Sequence, residues 1–258
     1  MFKGLSLNLE NKKVWKHHSN LPSPFRILVI GPSGAGKSNL TLQMCLEPNF
    51  IDYNNLIIFT SNPRTKDEYQ FLYNGFSNKL SKEDLGEMWL QQNDLRSYDQ
   101  PIPILCNIFA SLKQIEGNLN GNITVTLSDK IREIPLPEDL DKTYGKKDHL
   151  VIFDDCAREN KLMMEIYFTE SRHSNCNCIY IAQDYFTLPQ NIRVNSNMII
   201  LFEQNPEKLS RIFTSCIGDR IMQKERFLTF ANHTWTNPYS YVAINKVKRK
   251  VMDDIFRE

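Results

Sequence analysis

The chain has 258 residues, 41% of them apolar and 24% charged, a globular composition that excludes wholesale disorder. That length suits one large α/β domain and buries a core without staples. A formal charge of +1 excludes a global basic field, so any nucleic-acid contact must come from a local patch or a basic stripe repeated around an oligomer.

Residues 1–24 read as a polar lead ending in Leu21-Pro22-Ser23-Pro24, and they lack the apolar stretch of a signal peptide. Phe25 to Ile30 is a short apolar run that reads as a buried central strand ending at Gly31. Lys37 to Leu46 predicts a helix stopped near Pro48. Leu56–Thr60 is a second strand. Ser81 with Asp84 forms a capping-box pattern ahead of a short helix with Leu85, Met88 and Trp89 on its apolar face. Asn120-Gly121-Asn122 reads as a hairpin turn, with NITVTL after it as a candidate strand. Leu150–Phe153, Cys178–Ala182 and Met198–Phe202 are further buried strands. Leu162, Met163, Ile166 and Tyr167 are expected as the inner stripe of a helix between them. Asn205-Pro206 opens a helix with Leu209, Ile212, Phe213 and Cys216 inward and Gly218 as its stop. Five short strands interleaved with helices imply an open, largely parallel sheet covered on both faces. The six cysteines include no CxxC pair and read as reduced core thiols. No run approaches the length needed to span a bilayer, so no membrane contact is expected.

Gly31-Pro32-Ser33-Gly34-Ala35-Gly36-Lys37-Ser38 matches the Walker A pattern GxxxxGK[ST] at every fixed position. Glycines let the backbone curl so that successive N–H groups face phosphate oxygens, and the following helix adds the positive end of its dipole. Lys37 is expected at the β- and γ-phosphates of ATP. The Ser38 hydroxyl is expected on Mg²⁺, and Asn39 is the next residue along the helix. The strand LVIF runs into Asp154-Asp155, at the strand end where open α/β sheets bind ligands. Asp154 reads as the Walker B metal residue and Asp155 as the group that polarises the attacking water. Many ATPases of this broad group carry Glu at the second position, so Asp155 is one methylene short of the usual base. Gln183, at the tip of CIYIA, offers an amide that can sense the γ-phosphate or orient water. Arg172 and Arg193 flank that strand. Either could serve a neighbouring subunit's site as an arginine finger, and a surface ion pair is the plainer reading of each.

The blocks GPSGAGKS, LVIFDD and SRHSNCNCIYIAQDYFTLPQNIRVNSNMIILF occur in that order. Together they resemble the genome-packaging ATPases of large cytoplasmic DNA viruses, virophages and Polinton-like elements, in the FtsK/HerA-type branch of P-loop ATPases. The residues carrying the resemblance are Arg172-His173, Gln183 and Ile192-Arg193-x-Asn195, and it extends over about 27–60 and 148–205. It implies a ring-forming motor that threads double-stranded DNA using ATP, with Gln183 as sensor. It leaves the finger open between Arg172 and Arg193, with Arg211 and Arg220 as further candidates. The expected fold is one P-loop NTPase domain over 1–258, of the ASCE, RecA/FtsK-like kind. Its sheet would be mostly parallel, of order 5-1-4-3-2, with helices on both faces. About 62–147 is taken as the insertion-bearing middle and about 206–258 as a helical, variable C-terminal part. The expected partners are DNA, a homo-oligomeric ring (pentamer or hexamer) and capsid or portal proteins, in the host cytoplasm or the virion. Rival readings are a helicase or repair translocase of the same branch and a small-molecule or nucleotide kinase. Lys246, Lys248, Arg249 and Lys250 could contact phosphates and read more simply as a solvated tail.

Overall fold

The computed structural model of the protein describes residues 17–91, 102–117, 119–156, 158–218 and 221–257. Among the described residues there are eight strands: β1 (Arg26–Ile30), β2 (Asn55–Thr60), β3 (Thr124–Ser128), β4 (His149–Asp154), β5 (Cys176–Ala182), β6 (Met198–Phe202), β7 (Tyr241–Asn245) and β8 (Lys250–Met252). They form one sheet in the order β3-β2-β4-β5-β1-β6-β7-β8. The five strands from β2 to β6 in this order, with β3 beside β2, pair in parallel, whereas β7 and β8 are added antiparallel.

The expected five-stranded sheet is therefore corrected to a mixed sheet of eight. The five anticipated strands form its parallel middle, in the order β6-β1-β5-β4-β2, which is 5-1-4-3-2 when those five are numbered alone. Continuous apolar runs make such strands because helices cover both faces. Alternate residues confirm it. Ile27, Val29, Ile58, Ile152 and Ile181 enter one core cluster with Leu42 and Met44 of α1 (Lys37–Leu46) and Phe71 and Leu72 of α2 (Asp67–Ser77). Leu28, Ile30, Phe59, Val151 and Leu201 enter the other, with residues of the helices Leu162–Glu170 and Lys224–Thr234.

Several local expectations are met. Ser81 and Asp84 form a reciprocal capping box on α3 (Lys82–Leu90). The Asn205 side chain accepts the Lys208 N–H at 2.8 Å to start the helix Pro206–Ile212. Others are corrected. Asn120 to Asn122 is not a hairpin turn, because β3 pairs with β2 in parallel. Gly121 is required instead by close backbone approach: its N–H donates to the Lys79 carbonyl at 2.8 Å, and an added Cβ would collide with the Leu80 carbonyl. In the helix Leu162–Glu170 the buried residues are Met164, Tyr167 and Phe168, while Leu162 is 60% exposed. The stretch 206–258 is not wholly helical, since it supplies β7 and β8. Lys246 to Arg249 form the connection between those two strands rather than a tail, and Lys250 opens β8. Among the described residues no helix is long and apolar enough to cross a membrane.

Candidate functional site

All strands of the parallel middle end at one edge of the sheet, and the glycine-rich loop, the Asp154-Asp155 pair and Gln183 fall there. The loop after β1 takes positive φ at Gly34 (77°) and Gly36 (97°), values that a Cβ disfavours. Gly31 is needed for another reason, since a Cβ there would lie 2.6 Å from Cβ of Phe202 on β6. Gly36 caps α1 without a side-chain acceptor, and the first turn of α1 holds no acidic residue. The helix therefore presents unsatisfied N–H groups, an arrangement suited to an anion. The Lys37 ammonium donates to the carbonyls of Gly31 (2.8 Å) and Pro32 (2.6 Å). Burial lowers its pKa; Asp154 opposes that shift and Lys66 adds to it.

Asp154 ends β4 and is only 4% exposed. Its Oδ2 receives the Tyr69 hydroxyl at 2.9 Å and lies 3.1 Å from Lys66 Nζ. Asp155 follows in the left-handed region, at φ 55°. The Ser61 hydroxyl fastens it, reaching the Asp155 carbonyl oxygen at 2.8 Å and Oδ2 at 3.0 Å. A cavity of about 800 Å³ unites these elements. Ser33, Gly34, Gly36, Lys37, Ser38 and Asn39 line it from the loop and α1, Asp154 and Asp155 from β4, and Gln183 from the end of β5. Gly31, Pro32 and Ala35 do not line it and belong to the frame of the loop.

No family profile and no curated protein sequence matches the chain. Among solved structures, the AMP complex of the genome packaging NTPase B204 from Sulfolobus turreted icosahedral virus 2 superposes with a TM-score of 0.50 at 14% identity, covering 90% of this chain and 97% of that one. This chain has the fold of that viral NTPase. The ATP-gammaS complex of the same viral protein gives a TM-score of 0.49 at 14% identity over the same shares. VirB4 of Thermoanaerobacter pseudethanolicus gives 0.43 at 10% identity, covering 86% of each chain.

No arginine among the described residues lines the cavity. Arg172 is exposed just before β5, at the opposite edge of the sheet, and donates to His173 at 3.0 Å. Arg193 is half-buried; its Nε donates to the Leu188 carbonyl at 3.1 Å, and its guanidinium lies over the rings of Tyr185 and Phe186. Arg211 is exposed and stacks on Phe186 at 4.2 Å. Arg220 lies outside the described residues.

Sequence reasoning missed Ser61, directly after β2, and Lys66 and Tyr69, which fall in the stretch taken as the insertion-bearing middle. The signal available was strand order, because β2 neighbours β4 and whatever leaves β2 emerges beside Asp154.

Proposed function

We propose that the chain is an ATP-hydrolysing motor that translocates double-stranded DNA and packages a viral genome into a capsid. The observation that carries the enzymatic part is the convergence of Lys37, Ser38, Asp154, Asp155 and Gln183 on one cavity. Lys37 and the loop N–H groups bind the β- and γ-phosphates. The Ser38 hydroxyl and the Asp154 carboxylate are hard oxygen donors that line the same cavity, and this donor set fits Mg²⁺. When bound, the ion would neutralise charge on the phosphate oxygens. Asp155, exposed and held by Ser61, orients the attacking water, and Gln183 contacts the γ-phosphate or that water. An arginine finger would come from a neighbouring subunit of a ring, which accords with no arginine among the described residues lining the cavity. Arg172 and Arg211 are exposed and so more available for that role than Arg193, which is half-buried. The packaging role rests on the sequence resemblance and on the fold shared with the viral NTPase, and it would place the protein at sites of virion assembly.

The test is steady-state ATP hydrolysis without DNA, with single-stranded DNA and with duplex DNA, for the wild-type protein and Asp155→Asn. Duplex of any sequence should stimulate the wild-type enzyme. Asp155→Asn should retain ATP binding and lose turnover by at least ~100-fold. Full turnover in that variant would remove Asp155 from the mechanism, and turnover indifferent to duplex would count against translocation.

A further inference from the structure

Asp154 is the acid of the nucleotide site, and both groups that hold it come from one turn of helix. Lys66 caps α2, and Tyr69 belongs to its first turn. Tyr69 is buried, and burial together with the charge of Asp154 pushes its pKa well up, so it serves as a fixed donor to Oδ2. That one hydrogen bond already gives the carboxylate a partner.

Lys66 is different. Its side chain is 28% exposed, and it lines the cavity alongside Lys37, Ser38 and Gln183. Its ammonium has three N–H donors, and the ion pair with Asp154 at 3.1 Å uses only part of that capacity. The acid on the same turn that also lines the cavity, Glu68, is half-buried, and no ion pair joins it to Lys66. The strand order sets the approach. Lys37 follows β1 and Lys66 follows β2, with β4 and β5 between them, so the two ammonium groups enter the cavity from sides roughly 14 Å apart at the strand ends.

We propose that Lys66 is a second phosphate-binding lysine, which contacts the terminal phosphate of a bound nucleoside triphosphate from the α2 side of the cavity. The inference rests on the nucleotide-binding reading given above. Its consequence is that α2 senses whether the terminal phosphate is present. With the triphosphate, Lys66 bridges Asp154 and phosphate; with the diphosphate it is left with Asp154 alone. The helix Ile102–Glu116 packs on α2, with Asn107 bonded to Asn78 at 2.7 Å, so the signal has a path away from the site.

The test compares the binding of ATPγS and ADP, each with Mg²⁺, by calorimetry for the wild-type protein, Lys66→Met and Lys66→Arg. Lys66→Met should weaken ATPγS by about 10–100-fold and ADP by less than about 3-fold, and Lys66→Arg should recover part of the loss. Equal losses for both nucleotides, or none, would overturn the proposal and leave Lys66 a counter-ion. Because Lys66→Met could also loosen the fold, amide hydrogen exchange on the wild-type protein gives a second readout. Residues 66–70 should be better protected with ATPγS than with ADP, and equal protection would count against the inference. Wild-type protein that bound neither nucleotide would overturn the inference together with the reading beneath it.

Discussion

The two ends of the sheet are built on opposite plans. Where the parallel strands begin, asparagine side chains close the backbone. Asn177 accepts the Phe25 N–H at 2.9 Å, Asn197 accepts the Arg26 N–H at 2.8 Å, and Asn54 accepts the Asp148 N–H at 2.9 Å. Asn197 also donates to the Pro24 carbonyl at 2.7 Å, and Asn55 meets the buried His149 at 2.9 Å. Where the strands finish, the backbone adopts positive φ at Gly34, Gly36 and Asp155, and polar side chains line a cavity. A sheet end whose backbone N–H groups are accepted by its own side chains needs no ligand to close them. Fastening one end leaves the other free to hold groups in arrangements that a ligand completes.

If the two ends are separable, variants at each should move different measurements. The widest separation is expected for Lys37→Ala. ATP affinity should fall by at least ~100-fold, since a charge-assisted contact to phosphate is lost, while the melting temperature stays within ~2 °C. Asn177→Ala is the counterpart. It leaves the Phe25 N–H without its acceptor, at a cost of ~1–3 kcal/mol, and should lower the melting temperature by roughly 2–8 °C with ATPγS affinity of the folded protein changed less than ~3-fold. A fall in affinity as large as that of Lys37→Ala would show that the fastened end also shapes the site.

The smallest effect concerns neither end. Lys82 donates to the Ile51 carbonyl at 2.6 Å and lies over the Tyr53 ring at 3.8 Å, and burial pushes its pKa down to about 8. In the unfolded chain it keeps its proton to about 10.5. Between those values the unfolded state binds more protons, so this group makes stability rise with pH from about 8 to 10.5. Lys82→Met should remove that rise, on the order of 1–2 kcal/mol, and thermal melts of both proteins at pH 7.5 and 10 would reveal it. Parallel melting curves at both pH values would mean that Lys82 is solvated in the fold.

What could be read from the sequence was what local chemistry dictates. The glycine-rich loop after β1 was legible because its glycines answer a backbone need, and the parallel strands because burial on both faces leaves unbroken apolar runs. β7 was not legible, because Tyr241–Asn245 becomes a strand only by pairing with β6, from Phe202 opposite Tyr241 to Met198 opposite Asn245. The helix Leu162–Glu170 misled because Leu162, Met163, Met164, Ile166, Tyr167 and Phe168 make it apolar nearly all round, so periodicity could not choose its inner face. Lys66 and Tyr69 reach Asp154 across 88 and 85 positions of chain respectively, and nothing local marks either one.

The far side of the sheet closes with β8, only three residues long, which opens on the exposed Lys250. A ladder that short gives another chain few backbone groups to pair with, and a charged residue at its start discourages the attempt. The antiparallel turn-back after β6 thus works as a stop on lateral growth along that border. Copies of this chain that assemble there would have to meet through side-chain surfaces and not by extending a common sheet.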